Sequence, residues 1–134
     1  MRRRPLPLFR LTLFFLVALG ILWLSLSAHP YLPSAGVLSW DKAQHALAYA
    51  VLALTGGWAL QPILGDDLRA WRGGAMLAIA YGILMEVAQM TLTQVRTGQL
   101  GDAVANAVGA GAVLCGFFLV SRWREKRKQP EMDR

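Results

Sequence analysis

Asp41, His45 and Tyr49 recur at intervals of four, Glu86 and Gln89 at an interval of three, and Asp102 and Asn106 again at four, each set within or at the edge of an apolar run. On a helix these intervals bring each set onto one face. Lys42 adjoins the first set and Arg96 precedes the last. An imidazole beside a carboxylate can act as a general base, a buried carboxyl as a proton donor, and the amides and the phenol can hydrogen-bond a polar ligand. Lys and Arg can engage a phosphate or carboxylate, Arg in bidentate fashion. His45 and Glu86 are the two candidates for catalysis. Glu86 is the strongest single signal, because an ionisable group inside a bilayer is expensive and marks a site by default.

The elements that position these residues follow from composition. Of the 134 residues 55% are hydrophobic and 16% charged, which is too apolar for an ordinary soluble domain and too short for several domains. Four stretches approach the length of about 20 apolar residues that crosses a hydrocarbon core of about 30 Å. They run from about Leu8 to Leu26, Lys42 to Leu60, Gly74 to Leu92 and Asp102 to Val120. A backbone in lipid must satisfy its own hydrogen bonds, so each stretch is expected to be helical. Breakers at His29-Pro30 to Pro33, Gln61-Pro62 to Gly65, Gly73-Gly74 and Gly98 to Gly101 predict short connectors. The expectation is an all-α membrane protein, one domain over residues 1–134, with four transmembrane helices in an up-and-down bundle.

Basic residues set the expected orientation. Arg2, Arg3, Arg4, Arg10, Arg69, Arg72, Arg122, Arg124, Lys126, Arg127, Lys128 and Arg134 fall at one end of such a bundle; Lys42 and Arg96 fall at the other. Twelve against two predicts both termini in the cytoplasm and residues 121–134 as a basic cytoplasmic tail. The net charge of +6 then points to anionic inner-leaflet lipid and not to nucleic acid, since no basic groove interleaved with aromatics accompanies it. The first segment reads as a retained anchor in preference to a cleaved signal, because its apolar run is long and the following Ser25-Leu26-Ser27-Ala28 is a poor cleavage site. The lone Cys115 excludes a disulfide framework and is expected to be a small buried residue.

With this threading the polar residues share layers. At about 1.5 Å per residue, His45 and Asn106 lie about 6 Å below their helix starts and Tyr49 about 12 Å down. Gln89 and Glu86 fall in the same two layers, and Arg96 can fold over the opening. Ala105, Ala107, Gly109, Ala110, Gly111 and Ala112 form a run of small residues suited to close helix approach. The outcome is a polar pocket opening outward.

Asp41-Lys42-x-x-His45-x-x-x-Tyr49, then Glu86-x-x-Gln89, Arg96 and Asp102-x-x-x-Asn106-x-x-Gly109 together resemble the signature of the VanZ-like membrane proteins. The likeness runs from Asp41 to about Gly116. It departs where relatives often carry Pro-Gly before the Arg, since Gln94-Val95 stand there in this chain. The resemblance implies a small four-helix protein of the bacterial cytoplasmic membrane, from a family whose namesake is associated with low-level teicoplanin resistance. It implies no mechanism.

Two functions follow as expectations. In the first, the pocket binds an anionic envelope lipid or lipid-linked cell-wall precursor through Asp41, Lys42, His45, Tyr49, Glu86, Gln89, Arg96, Asp102 and Asn106. In the second, the chain is a small membrane enzyme modifying such a head group with His45 and Glu86 as acid and base, although no nucleophile motif or phosphate loop accompanies them. No cofactor is expected: Asp41, His45, Glu86 and Asp102 offer a set suited to a divalent metal, but Lys42 and Arg96 can neutralise them and no ligand spacing is diagnostic. Transport is disfavoured by the absence of an inverted repeat and by apolar inner helix halves.

Overall fold

The computed structural model describes residues 8–27, 41–92 and 100–128. They form four helices, α1 Leu8–Leu26, α2 Asp41–Leu64, α3 Asp67–Leu92 and α4 Leu100–Lys128, each long and apolar enough to cross a membrane. Leu, Ile, Val, Phe and Met side chains stand exposed along all four, among them Phe15, Leu47, Ile83 and Leu119. That much exposed apolar surface suits a lipid solvent.

Contacts between helices fix their directions. Arg10 and Phe14 of α1 meet Trp58 and Gly56 of α2, whereas Ile21 and Ser25 lie beside Asp41, Gln44 and His45 around one cavity, so α1 and α2 are antiparallel. Gly57 and Tyr49 of α2 meet Gly74 and Gly82 of α3, which is again antiparallel. Asn106 and Phe117 of α4 meet Gly82 and Trp71 of α3, the same relation a third time. The core is formed by Ile21, Tyr49, Leu52, Ala53, Ala78, Met85 and Ala110.

Gly73-Gly74 does not separate two helices. It lies inside α3, which begins at Asp67. Gly74 is the point where α3 crosses α2, because a Cβ there would strike the backbone of Gly57 and of Ala53. The glycine thus serves close approach, as small residues do between membrane helices. The connector is instead Gly65-Asp66. Gly65 ends α2 in the left-handed region at φ 65°, with its N–H donating to the Gln61 carbonyl at 3.0 Å. Asp66 caps α3, its Oδ1 accepting from the Arg69 N–H at 2.9 Å.

α2 also passes through Pro62, where a stop was expected, and ends at Leu64. A proline inside a helix leaves the carbonyl four residues earlier without its N–H donor. That carbonyl belongs to Trp58, and the Arg10 guanidinium donates to it at 3.0 Å while lying 4.6 Å over the Trp58 ring. α1 supplies what Pro62 withholds. Arg10→Met should therefore lower stability by about 1 kcal/mol, toward the low end of the cost of an unsatisfied acceptor because the bond is only partly buried. Adding Pro62→Ala, which returns the N–H, should recover most of the loss in a double-mutant cycle of detergent-solubilised protein. Equal losses with and without Pro62 would reject this account.

α4 continues past Val120 to Lys128, so the first eight residues of the expected tail are helical. Residues 121–128 contain neither Gly nor Pro. Basic side chains suit a helix C-terminus, and Arg127 lies 3.8 Å over the Trp123 ring one turn back. Gly101 likewise belongs to α4 and not to a connector. Cys115 is exposed and not buried, because it falls on the face of α4 turned away from the bundle. The small-residue run divides similarly: Ala110 is fully buried and Gly109 meets the Ala46 carbonyl, while a Cβ on Gly111 would touch nothing within 4 Å.

Candidate functional site

α2 and α4 begin at the same end of the bundle and run side by side. Their closeness comes from Gly109, where a Cβ would overlap the Ala46 backbone. The first turns of both helices are thereby brought into register. Lys42 Nζ donates to Asp102 Oδ1 at 3.1 Å, and one turn further His45 Nδ1 meets Asn106 Oδ1, also at 3.1 Å. The common depth expected for His45 and Asn106 is realised as a hydrogen bond. Because an amide oxygen only accepts, Nδ1 carries a proton and donates it to Asn106.

Nε2 faces two carboxylates. Asp102 Oδ2 lies at 3.8 Å and Asp41 Oδ2 at 3.9 Å, beyond hydrogen-bond length. Burial grades outward across the group: Asn106 and Asp102 are buried, the His45 side chain is 13% exposed, and the side chains of Lys42 and Asp41 are 38% and 57% exposed. The site thus has a sealed floor and an accessible rim.

A small cavity adjoins this group. It has about 70 Å³ of water-accessible volume and is lined by Ile21, Leu24 and Ser25 of α1 and by Asp41, Gln44, His45, Ala48 and Tyr49 of α2. The Tyr49 side chain is almost wholly buried and its hydroxyl has no hydrogen-bond partner among the described residues. Such a group costs about 1–3 kcal/mol unless something pairs with it.

Five of the nine expected site residues, Asp41, Lys42, His45, Asp102 and Asn106, form this direct network. Tyr49 joins them through the cavity. Gln89 is buried but turns to α1, donating to the Ser25 carbonyl at 3.1 Å, so its visible part is to hold α1 in place. Glu86 is buried on α3 one turn from Gly82, which touches Tyr49 and Asn106. It does not belong to the group of Asp41, His45 and Asp102, whose potential ligand atoms all lie within 4.8 Å of one another. Arg96 lies outside the described residues.

The spacing of the polar residues gives α1 no part in the site. Yet Ile21, Leu24 and Ser25 form one wall of the cavity, and α1 carbonyls at Ala18 and Ser25 accept from Tyr81 and Gln89. A Ser in an apolar helix is a weak signal, and backbone acceptors have no sequence signature at all. Comparison with family models, curated proteins and solved structures finds no match to this chain. What fold and site define is a class: a four-helix bundle of membrane-spanning length with a polar, carboxylate-lined site at one end.

Proposed function

We propose that this chain is a multi-pass protein of the bacterial cytoplasmic membrane, with both termini inside, whose outward-facing site binds the head group of an anionic envelope lipid or lipid-linked cell-wall precursor. The supporting observation is the amphiphilic cavity. Asp41, Gln44 and His45 line it together with Ile21, Leu24 and Ala48, and Tyr49, whose hydroxyl has no partner among the described residues, lines it too. A polar head followed by the first carbons of a chain matches that lining. Two further points support the reading. Arg10, Arg69, Arg72, Arg122, Arg124 and Arg127 lie toward the end opposite the site, as an inward-facing basic end requires. The motifs also resemble those of the VanZ-like proteins, whose namesake is tied to an antibiotic that acts on precursors displayed outside the membrane.

Tyr49→Phe tests this directly. Loss of an unpaired hydroxyl should leave stability unchanged or slightly raised, while binding of an anionic envelope lipid falls about tenfold, the equivalent of one hydrogen bond of about 1.4 kcal/mol. Lys42→Gln and Arg96→Ala should weaken the same binding when compared at equal amounts of folded protein. Lipid retention measured by native mass spectrometry decides it, and three variants that retain lipid like the parent would sink the proposal.

A second reading is favoured by the His45 geometry. An imidazole with Nδ1 held by Asn106 and Nε2 beside the Asp41 and Asp102 carboxylates is oriented as a general base. Turnover of the lipid in the same preparation, abolished by His45→Ala or Glu86→Gln, would convert a binding protein into an enzyme.

A further inference from the structure

We propose that Asp41, His45 and Asp102 form a site for a divalent transition-metal ion of the Zn²⁺ or Mn²⁺ class at the mouth of the cavity. One ligand atom from each lies within 4.8 Å of the others. The separations of 3.8 and 3.9 Å from Nε2 to the two carboxylate oxygens are too long for direct hydrogen bonds. They are shorter than the span of about 4.2 Å given by two ligand bonds of about 2.1 Å end to end, so one ion reaches both partners at a bent angle. Asp41 stands at the rim on the first residue of α2 and supplies the third ligand atom.

The orientation of His45 carries the argument further. Its Nδ1–H donates to Asn106 and its Nε2 is directed toward two carboxylates. Three donors converging in this way suit a cation, and a metal ion can take the place that a proton on Nε2 would otherwise hold. Metal-binding histidines are held by this kind of outer hydrogen bond, which fixes the tautomer and raises ligand basicity. Lys42 does not fill the role, because it engages Oδ1 of Asp102 and leaves Oδ2 for the ion. The same cavity is lined one turn along α2 by Tyr49, which is buried and has a hydroxyl without a partner among the described residues.

The nitrogen ligand selects the metal. Mg²⁺ and Ca²⁺ take oxygen ligands, whereas imidazole with carboxylates suits Zn²⁺ and Mn²⁺. The site stands independently of the head-group reading, and the two meet in one respect. Asp41 and Asp102 outnumber Lys42 in this group, and a divalent ion would add positive charge for an anionic head group to meet.

The experiment uses the full chain, purified in detergent on a tag without histidine and stripped of lipid, with Zn²⁺ or Mn²⁺ competed against a chromophoric chelator. One ion per chain is expected. Affinity should fall at least about 100-fold in His45→Gln and Asp102→Asn, and about 10–100-fold in Asn106→Ala, which removes only the outer partner. A hundredfold excess of Mg²⁺ or Ca²⁺ should not displace the ion. Asp41→Asn, at an exposed position where folding is not at risk, should cost at least about tenfold. Stoichiometry well below one, or parental affinity in both His45→Gln and Asp41→Asn, would overturn the site. Metal binding without lipid retention would sink the head-group reading alone, and lipid retention without metal binding would sink the metal site alone.

Discussion

Gly109→Ala should unseat α4 from α2 and dismantle the site from a position that contributes no functional group to it. A Cβ at residue 109 would overlap the Ala46 carbonyl, which is backbone and cannot swing aside as a side-chain tip can. The helices must separate or slide. Overpacking of a side-chain core costs about 1–3 kcal/mol, and a backbone obstacle places this substitution at or above the upper end. The same displacement breaks the Lys42–Asp102 and His45–Asn106 bonds, both of which depend on the spacing of α2 and α4. Gly111→Ala is the control. It adds the same methyl to the same helix where nothing lies within 4 Å, and it should be neutral or gain up to about 1 kcal/mol in helix propensity. Thermal unfolding of the two variants in detergent should differ widely, and equal midpoints would mean that α2 and α4 do not cross at residue 109.

This pair of glycines also shows how far the sequence could be read. The run from Ala105 to Ala112 announces close packing, but not which member meets a neighbour, because on a helix that depends on a rotation fixed only by the other three helices. Gly73-Gly74 has the same ambiguity in a sharper form. A glycine pair between apolar runs reads as a break, and only the position of Gly57 opposite shows that it is a crossing point. Pro62 reads as a stop for a similar reason, since its helix survives through a donor from Arg10, 52 residues away. By contrast the layering of Asp41, His45, Asp102 and Asn106 was legible, because helical rise and the antiparallel alternation of short-connected helices place equal offsets at equal depth. Glu86 and Gln89 were placed at the right end of the bundle, but nothing in their spacing tells that Gln89 turns toward α1.

The Lys42–Asp102 pair should show a strong asymmetry between its two halves, and the asymmetry bears on why a membrane protein keeps such a pair. Asp102 has a side chain only 9% exposed, whereas that of Lys42 is 38% exposed. Lys42→Met strands a carboxylate with little access to water. Breaking a fully buried pair this way costs about 3–5 kcal/mol, and the partial exposure of Lys42 reduces the expected loss to about 2–3 kcal/mol. Asp102→Asn strands the ammonium instead. A lysine at the rim can extend its flexible stem toward water and still donate to the amide oxygen, so the loss should stay below about 1 kcal/mol. The double variant Lys42→Met/Asp102→Asn should then be more stable than Lys42→Met alone, because the stranded charge has gone with its partner. Chemical or thermal unfolding of the three proteins in metal-free detergent tests this. Equal losses for the two single variants would show that Asp102 reaches water by another route and that the floor of the site is open.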